Sequence, residues 1–383
     1  MTGSPAPSPS RAPTKRWAKA LFSIGIAGVA LAFVAYVVPV RDTCVDPETG
    51  TRMSRVETGP VGSAEGSGER PGGCSLARRG EVVRRLSSAE CSALACEPGL
   101  GSTFRGTSPS WLAAMAALYF LGTFAWAVRW RELLGLAMTE KSKAPGPLFV
   151  WRITLEAQAG GILLPGGVAG DALRIGSMVG RGIPLSVVVA STLLDRALGL
   201  VTLAMVAAAL ALGAGDRAID GRVLAVLAAC PLGLGVGLII LRSPPMSRWL
   251  SEGPLAKYAR DAAAYIASDR APRAILRAFV VSLVVSATQL LVLRGLVHAL
   301  GAVPVEPRWV YLGTAMAFMV AALPVLPGGW GTSDAAFVFF FAFAGLRPQV
   351  ALGACLLYRA FWYLSGIVGA LLRLLSAVRT PPS

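Results

Sequence analysis

Long apolar runs alternate along this chain with short clusters of charge. Residues 21–40, 111–128, 185–212, 223–241, 275–300 and 350–372 carry few polar side chains. Each is long enough, as a helix, to cross a hydrocarbon core about 30 Å thick. The pattern predicts six transmembrane helices. Two more apolar segments, 148–164 and 310–326, stop at the same chemistry. The first is followed by Pro165, Gly166, Gly167, Gly170 and Asp171, the second by Pro327, Gly328, Gly329, Gly331 and Asp334. Proline removes a backbone donor and the glycine pair admits turn conformations, so each helix must stop there. Peptide groups bared in hydrocarbon cost several kcal/mol each, which requires both breaks to be buried in protein or to face a polar cavity.

The two broken segments are copies of one unit. Twenty-five residues beyond Asp171 stands Arg196, in TLLDRALGL, and twenty-five beyond Asp334 stands Arg359, in CLLYRAFWYL. The flanking Arg152 and Arg181 give the first broken segment a cytoplasmic entry, and the three spans that follow, running outward, inward and outward, make the second enter from the outer face, between Arg308 and Arg347. The expected architecture is all-α and integral to the membrane: six transmembrane helices plus two oppositely oriented re-entrant hairpins forming an inverted repeat.

The expected organisation follows in chain order. Residues 1–19 form a Pro/Ser-rich cytoplasmic tail, 20–40 a retained first transmembrane helix, and 41–108 an extracytoplasmic loop. Residues 109–243 hold the second transmembrane helix and first repeat, with a re-entrant hairpin over 148–180. A cytoplasmic surface segment spans 244–273; 274–376 form the second repeat, with a hairpin over 309–345, and 377–383 a cytoplasmic tail. Basic residues lie before the first run and between the fourth and fifth, which puts both termini in the cytoplasm of a cell with the chain in its cytoplasmic membrane.

Composition agrees. The chain is 54% hydrophobic and 15% charged, against roughly 25% charged for a soluble domain. Its net charge of +15 is explained by membrane topology, and no nucleic-acid partner is expected. The loop carries four of the six cysteines: Cys44, Cys74, Cys91 and Cys96. In an exported, Gly-rich segment they predict two disulfides, with three pairings open. Within the loop, residues 76–96 suit one short amphipathic helix, and 57–73 read as flexible. Cys230 and Cys355 fall in apolar runs and read as small buried residues. His298 is the one histidine, so no metal site and no cofactor are expected.

Arg129, Arg174, Asp195, Arg196 and Arg359 stand in or beside apolar runs, where a charge costs at least about 2.5–3.5 kcal/mol. Asp171 with Arg196, and Asp334 with Arg359, can serve as structural pairs that lock hairpin to span. Alternatively the arginines and the half-helix N-termini bind an anionic headgroup, a phosphate above all. Both roles are compatible. Glu156 reads as a partner for Arg152 one turn away.

Four stretches together, RWRELLGL (129–136), LLPGGVAGDALR (163–174), TLLDRALGL (192–200) and LPVLPGGWGTSDAA (323–336), resemble the flippase-like family related to the transmembrane region of lysylphosphatidylglycerol synthases. The resemblance covers roughly residues 111–375. It implies a polytopic membrane protein that handles a lipid, such as an anionic phospholipid or a polyprenyl-phosphate-linked sugar. It places Arg129, Asp171, Arg174, Asp195, Arg196, Asp334 and Arg359 on the shared pattern. The family's synthases carry a soluble catalytic domain after the membrane part; this chain ends at Ser383, so synthase activity is not expected. No nucleophile motif or paired loop carboxylates accompany it. The leading expectation is a lipid flippase-like transporter without catalytic residues. The alternatives are an accessory subunit of an envelope lipid- or glycan-modifying enzyme, docked through the disulfide loop, and a membrane glycosyltransferase or lipid phosphatase.

Overall fold

A computed structural model of the chain describes residues 32–38, 41–46, 49, 51–57, 74–78, 81–87, 90–91, 94, 96–137, 145–163, 168–213, 232, 267–301, 305–322 and 331–379. The helices, in order, are α1 (Leu100–Arg105), α2 (Pro109–Leu134), α3 (Pro147–Leu163), α4 (Val168–Val179), α5 (Leu185–Leu212), α6 (Ala271–Ala299), α7 (Pro307–Ala321), α8 (Thr332–Phe343) and α9 (Pro348–Arg379). Prolines open α2, α3, α7 and α9, where the missing N–H is no loss. Among the described residues, four helices are long and apolar enough to cross a membrane: α2, α5, α6 and most of α9. Of the six predicted crossings, the first is described only from residue 32 onward, and 223–241 lies outside the described residues apart from residue 232. So do nearly all of the predicted surface segment 244–273, the 1–19 tail and both Pro-Gly-Gly breaks.

Helices α2–α5 and α6–α9 repeat one order: long, short, short, long. The packing repeats as well. Each first helix contacts its following short helix, each pair of short helices packs together, and each second short helix packs on the long helix after it. Across the halves, α3 lies against α9 and α7 against α5. Every one of these pairings survives exchange of the two halves.

Helices α2 and α6 are each half's first element, and they pack side by side in opposite directions. As residue numbers rise along α2 its partners fall along α6. Trp111 Nε1 donates to the Gly295 carbonyl at 2.8 Å, Gly122 faces Thr288, Arg129 Nη1 donates to Ser282 Oγ at 3.0 Å, and Glu132 meets Arg277 at 3.4 Å. Lipid tails are as apolar as leucine, so helices associate in a membrane through close approach of small residues and polar contacts. Gly369 of α9 illustrates the first: a Cβ there would collide with the backbone at Leu155 of α3. The residues left exposed on α9, Leu364, Ile367, Leu371, Leu374 and Leu375, recur at three- and four-residue spacing. That is a lipid-facing stripe.

The segment 41–108 is not all loop. It contains strands β1 (Thr43–Val45), β2 (Arg52–Glu57), β3 (Cys74–Arg78), β4 (Glu81–Leu86) and β5 (Cys96–Glu97), which form one antiparallel sheet in the order β4-β3-β2-β1-β5. The amphipathic helix expected over 76–96 is therefore corrected to a hairpin, and the all-α expectation holds for the membrane part alone. Strand β3 pairs on both edges and buries Cys74 and Leu76 against Cys44, Met53, Leu86 and Cys91; that cross-strand burial outweighs local helix propensity. Two disulfides, Cys44–Cys96 and Cys74–Cys91, staple this small core, as so few apolar residues require. Outside the sheet the Ser87 backbone N–H and hydroxyl donate to Glu90 and hold its carboxyl below the usual range.

The sheet's entry and exit are tied together and to the helices. Asp42 accepts the Gly99 N–H at 2.7 Å and the Ser102 hydroxyl at 2.6 Å, and Gly99 lies so close to the Arg41 backbone that a Cβ would not fit. Phe104 of α1 packs beside Leu300 and Gly353, and Gln349 of α9 donates to the Pro98 carbonyl at 2.9 Å.

Candidate functional site

Each half carries one Asp–Arg pair that joins its second short helix to its last long one. In the first half Arg196 Nη2 on α5 lies 2.5 Å from Asp171 Oδ2 on α4. In the second, Arg359 Nη2 on α9 lies 2.8 Å from Asp334 Oδ1 on α8 and donates to Ser333 Oγ at 2.7 Å. The structural pairing that the twenty-five-residue spacing allows is thus present twice.

Local chemistry differs between them. The Asp334 carboxylate is held from several sides: its Oδ2 accepts the Gly331 N–H at 2.9 Å, and its Oδ1 also accepts the Cys355 thiol at 3.3 Å. Gly331 has φ of +79°, a conformation that a side chain would strain. Asp334 thereby satisfies an orphan donor at the start of α8. Asp171 stands in the first turn of α4, where a carboxylate is favoured by the helix dipole, and its pair with Arg196 is part-exposed.

A second, deeper cluster adjoins the first pair. Asp195, fully buried on α5, accepts Arg129 Nε at 2.7 Å and Trp126 Nε1 at 2.8 Å, both from α2. Arg129 reaches on to Ser282 of α6, so one buried arginine ties three helices together. Arg174 of α4 lies with its guanidinium over the rings of Trp130, at 4.0 Å to the centroid, and Trp126, at 4.9 Å. Its Nη1 stands 4.0 Å from Asp195. In the second half, Tyr358 takes the place of Asp195 and hydrogen-bonds with Gln289.

Glu156 of α3 is buried and accepts Arg152 Nε at 2.8 Å, the predicted i,i+4 partner. Arg373 of α9 approaches its other oxygen at 3.5 Å, which makes Glu156 an interhelical contact as well. Two turns of polar contact run beside it: Gln158 accepts both the Tyr119 hydroxyl, at 3.3 Å, and Ser365 of α9.

The structure therefore gathers Arg129, Asp171, Arg174, Asp195 and Arg196 in the first half, and Asp334 with Arg359 in the second. Pro165, Gly166, Gly167, Pro327, Gly328 and Gly329 lie outside the described residues. Sequence reasoning overlooked Trp126, Trp130 and Ser282. A signal existed for two of them: Trp126, Arg129 and Trp130 sit three and four apart, on one face of α2. The His/Cys/Asp/Glu side chains form no group able to hold a metal among the described residues.

A family model for the lysylphosphatidylglycerol synthase TM region matches residues 99–369, which takes in both halves from α1 into α9. No curated protein matches the chain.

Proposed function

The chain belongs to the family of the lysylphosphatidylglycerol synthase TM region, a multi-pass membrane protein related to lipid modification and transport, and from that premise we propose that it is a lipid flippase-like transporter. In this reading it binds an anionic, phosphate-bearing lipid, either a phospholipid or a polyprenyl-phosphate-linked sugar, and moves it across the cytoplasmic membrane. The observation that carries the reading is the antiparallel packing of α2 against α6, with every other helix pairing preserved when the halves are exchanged. Two halves so related turn about an axis in the membrane plane, and a site between them opens to either face as one half rocks on the other.

The short pairs α3–α4 and α7–α8 are then the re-entrant hairpins, their ends within two residues of 148–180 and 309–345, and the total of membrane crossings is six. Both termini are cytoplasmic and residues 41–108 lie outside, a placement supported by the two disulfides, which persist in oxidising compartments. Asp171–Arg196 and Asp334–Arg359 act as the two gates: each arginine is neutralised by its aspartate in the empty state and by the lipid phosphate in the loaded one. The reading assigns transport and no catalytic residue.

Reconstituted vesicles test this. Wild-type protein should accelerate transbilayer movement of a fluorescent phosphatidylglycerol, and the Arg196→Ala/Arg359→Lys double variant should lose that activity while still folded. Unchanged movement in the double variant would sink the proposal.

One observation favours a second reading, an accessory subunit that docks an envelope enzyme. The 41–108 segment is a folded, stapled sheet whose edge strand β4 exposes Val82 and Val83, and an exposed edge strand can pair with another chain. A co-purifying enzyme that is lost when Val82 and Val83 become lysine would support it.

A further inference from the structure

Arg174 is 2% exposed, yet among the described residues its Nε and Nη2 have no acceptor, and neither has the buried Trp130 Nε1 beside it. Asp195 does not satisfy them. One of its oxygens accepts Arg129 and the other accepts Trp126, and its contact with Arg174 is a 4.0 Å approach to Nη1 only. The orphan Nε and Nη2 are neighbours on the side edge of the guanidinium, the edge that grips two oxygens of one anion in parallel. Both tryptophan rings lie against the guanidinium carbon, at 4.0 and 4.9 Å to their centroids, and neither ring face supplies the acceptor that this edge lacks. Charge points the same way: Arg129, Arg174 and Arg196 stand against Asp171 and Asp195, leaving one positive charge unmatched. A buried cation with bare donors is costly, and an oxyanion supplies both the missing acceptors and the missing charge.

We propose that Arg174 and Trp130 Nε1 form an oxyanion subsite in the first half of the molecule, built to take the phosphate group of a phosphate ester. It rests on the reading that the chain binds an anionic lipid and places the headgroup within one half, not midway between two equal ones. The second half has no counterpart. The offset that carries Asp171 onto Asp334 and Arg196 onto Arg359 carries Arg174 onto Phe337 and Trp130 onto Leu293, both buried and apolar. The part-exposed Asp171–Arg196 pair adjoins the subsite: Asp171 precedes Arg174 by three residues of α4, about 4.5 Å along the helix.

The test is thermal unfolding of the full chain in neutral detergent with three probes: a short-chain phosphatidylglycerol, the matching diacylglycerol without phosphate, and inorganic phosphate. Phosphatidylglycerol should raise the wild-type midpoint and the diacylglycerol should not. Arg174→Gln should weaken the apparent affinity about tenfold or more, since hydrogen bonds to a charged group are lost. Arg174→Lys should recover part of it, and Trp130→Phe, which keeps a ring under the guanidinium, should cost a few-fold. If Arg174→Gln does not fold, the Lys and Phe variants carry the test. Wild-type affinity in the folded Arg174 and Trp130 variants overturns the subsite. If it is instead the Arg196 and Arg359 variants that lose phosphatidylglycerol, the transport reading stands without this subsite. A response to inorganic phosphate alone, lost in the Arg174 variants, keeps the subsite and removes the lipid reading. No response to either anion removes both.

Discussion

The two Asp–Arg pairs share one spacing and one chemistry, but not one environment. Side chains of Asp171 and Arg196 are 24% and 45% exposed, those of Asp334 and Arg359 4% and 6%. Ion pairs at a surface contribute about 0–1 kcal/mol because water and salt compete for both partners. A buried pair is held by the cost of leaving either charge alone, so the same two residues become a lock. Cys355, Ser333 and the Gly331 N–H close around the second pair, and among the described residues nothing comparable surrounds Asp171. Both pairs are formed, at 2.5 and 2.8 Å, so what separates them is burial; in the proposed rocking motion the part-exposed first pair would be the easier of the two to open.

The sharpest way to break that comparison is to remove one arginine at a time. Arg359→Ala should destabilise the protein by about 3–5 kcal/mol, since it strands a buried carboxylate, and Arg196→Ala by about 1 kcal/mol or less. Denaturant unfolding in micelles reads both, and equal losses would refute the distinction. Next in size, Gly369→Ala drives a methyl into the Leu155 backbone and should cost about 1–3 kcal/mol, loosening α9 from the first half's hairpin. An unchanged midpoint would mean that this contact is not tight.

Cys355, whose thiol donates to Asp334, reports on the second pair directly. In a Cys230→Ala background its alkylation should be slow in the wild type and should rise in Arg359→Lys, roughly tenfold for each 1.4 kcal/mol of stability lost. Rapid wild-type labelling would show the second gate open at rest. The smallest effect is salt. Raising it to about 1 M should abolish most of the difference between wild type and Asp171→Asn, while leaving the deficit of Asp334→Asn in place, because screening acts on exposed charges.

Much of this was legible in the sequence because it depends on local spacing. The run predicted at 185–212 is α5 to the residue, and the spacing from aspartate to arginine led directly to both pairs. Contacts between distant elements were not legible. The pairing of Asp195 with Arg129 joins α5 to α2, and apolar periodicity says nothing about which helices meet. Residues 74–86 were misread for a related reason. Arginines and valines at mixed spacing fit a helix face as readily as a strand, and what decides is the hydrogen-bond ladder to β2, 20 or so residues away, together with the cysteines. The asymmetry of the halves was also hidden, since Arg174 and Phe337 occupy equivalent positions in segments that otherwise match.

The disulfides of the sheet have a consequence for how the chain withstands damage. Cys74–Cys91 is nested inside Cys44–Cys96, so a protease that cuts once anywhere between residues 45 and 95 divides the polypeptide without releasing either piece. The nicked molecule runs as one species on a non-reducing gel and as two after reduction. Hydrolysis within that span alone cannot detach what precedes the sheet from the helices after it; a reductant must act as well.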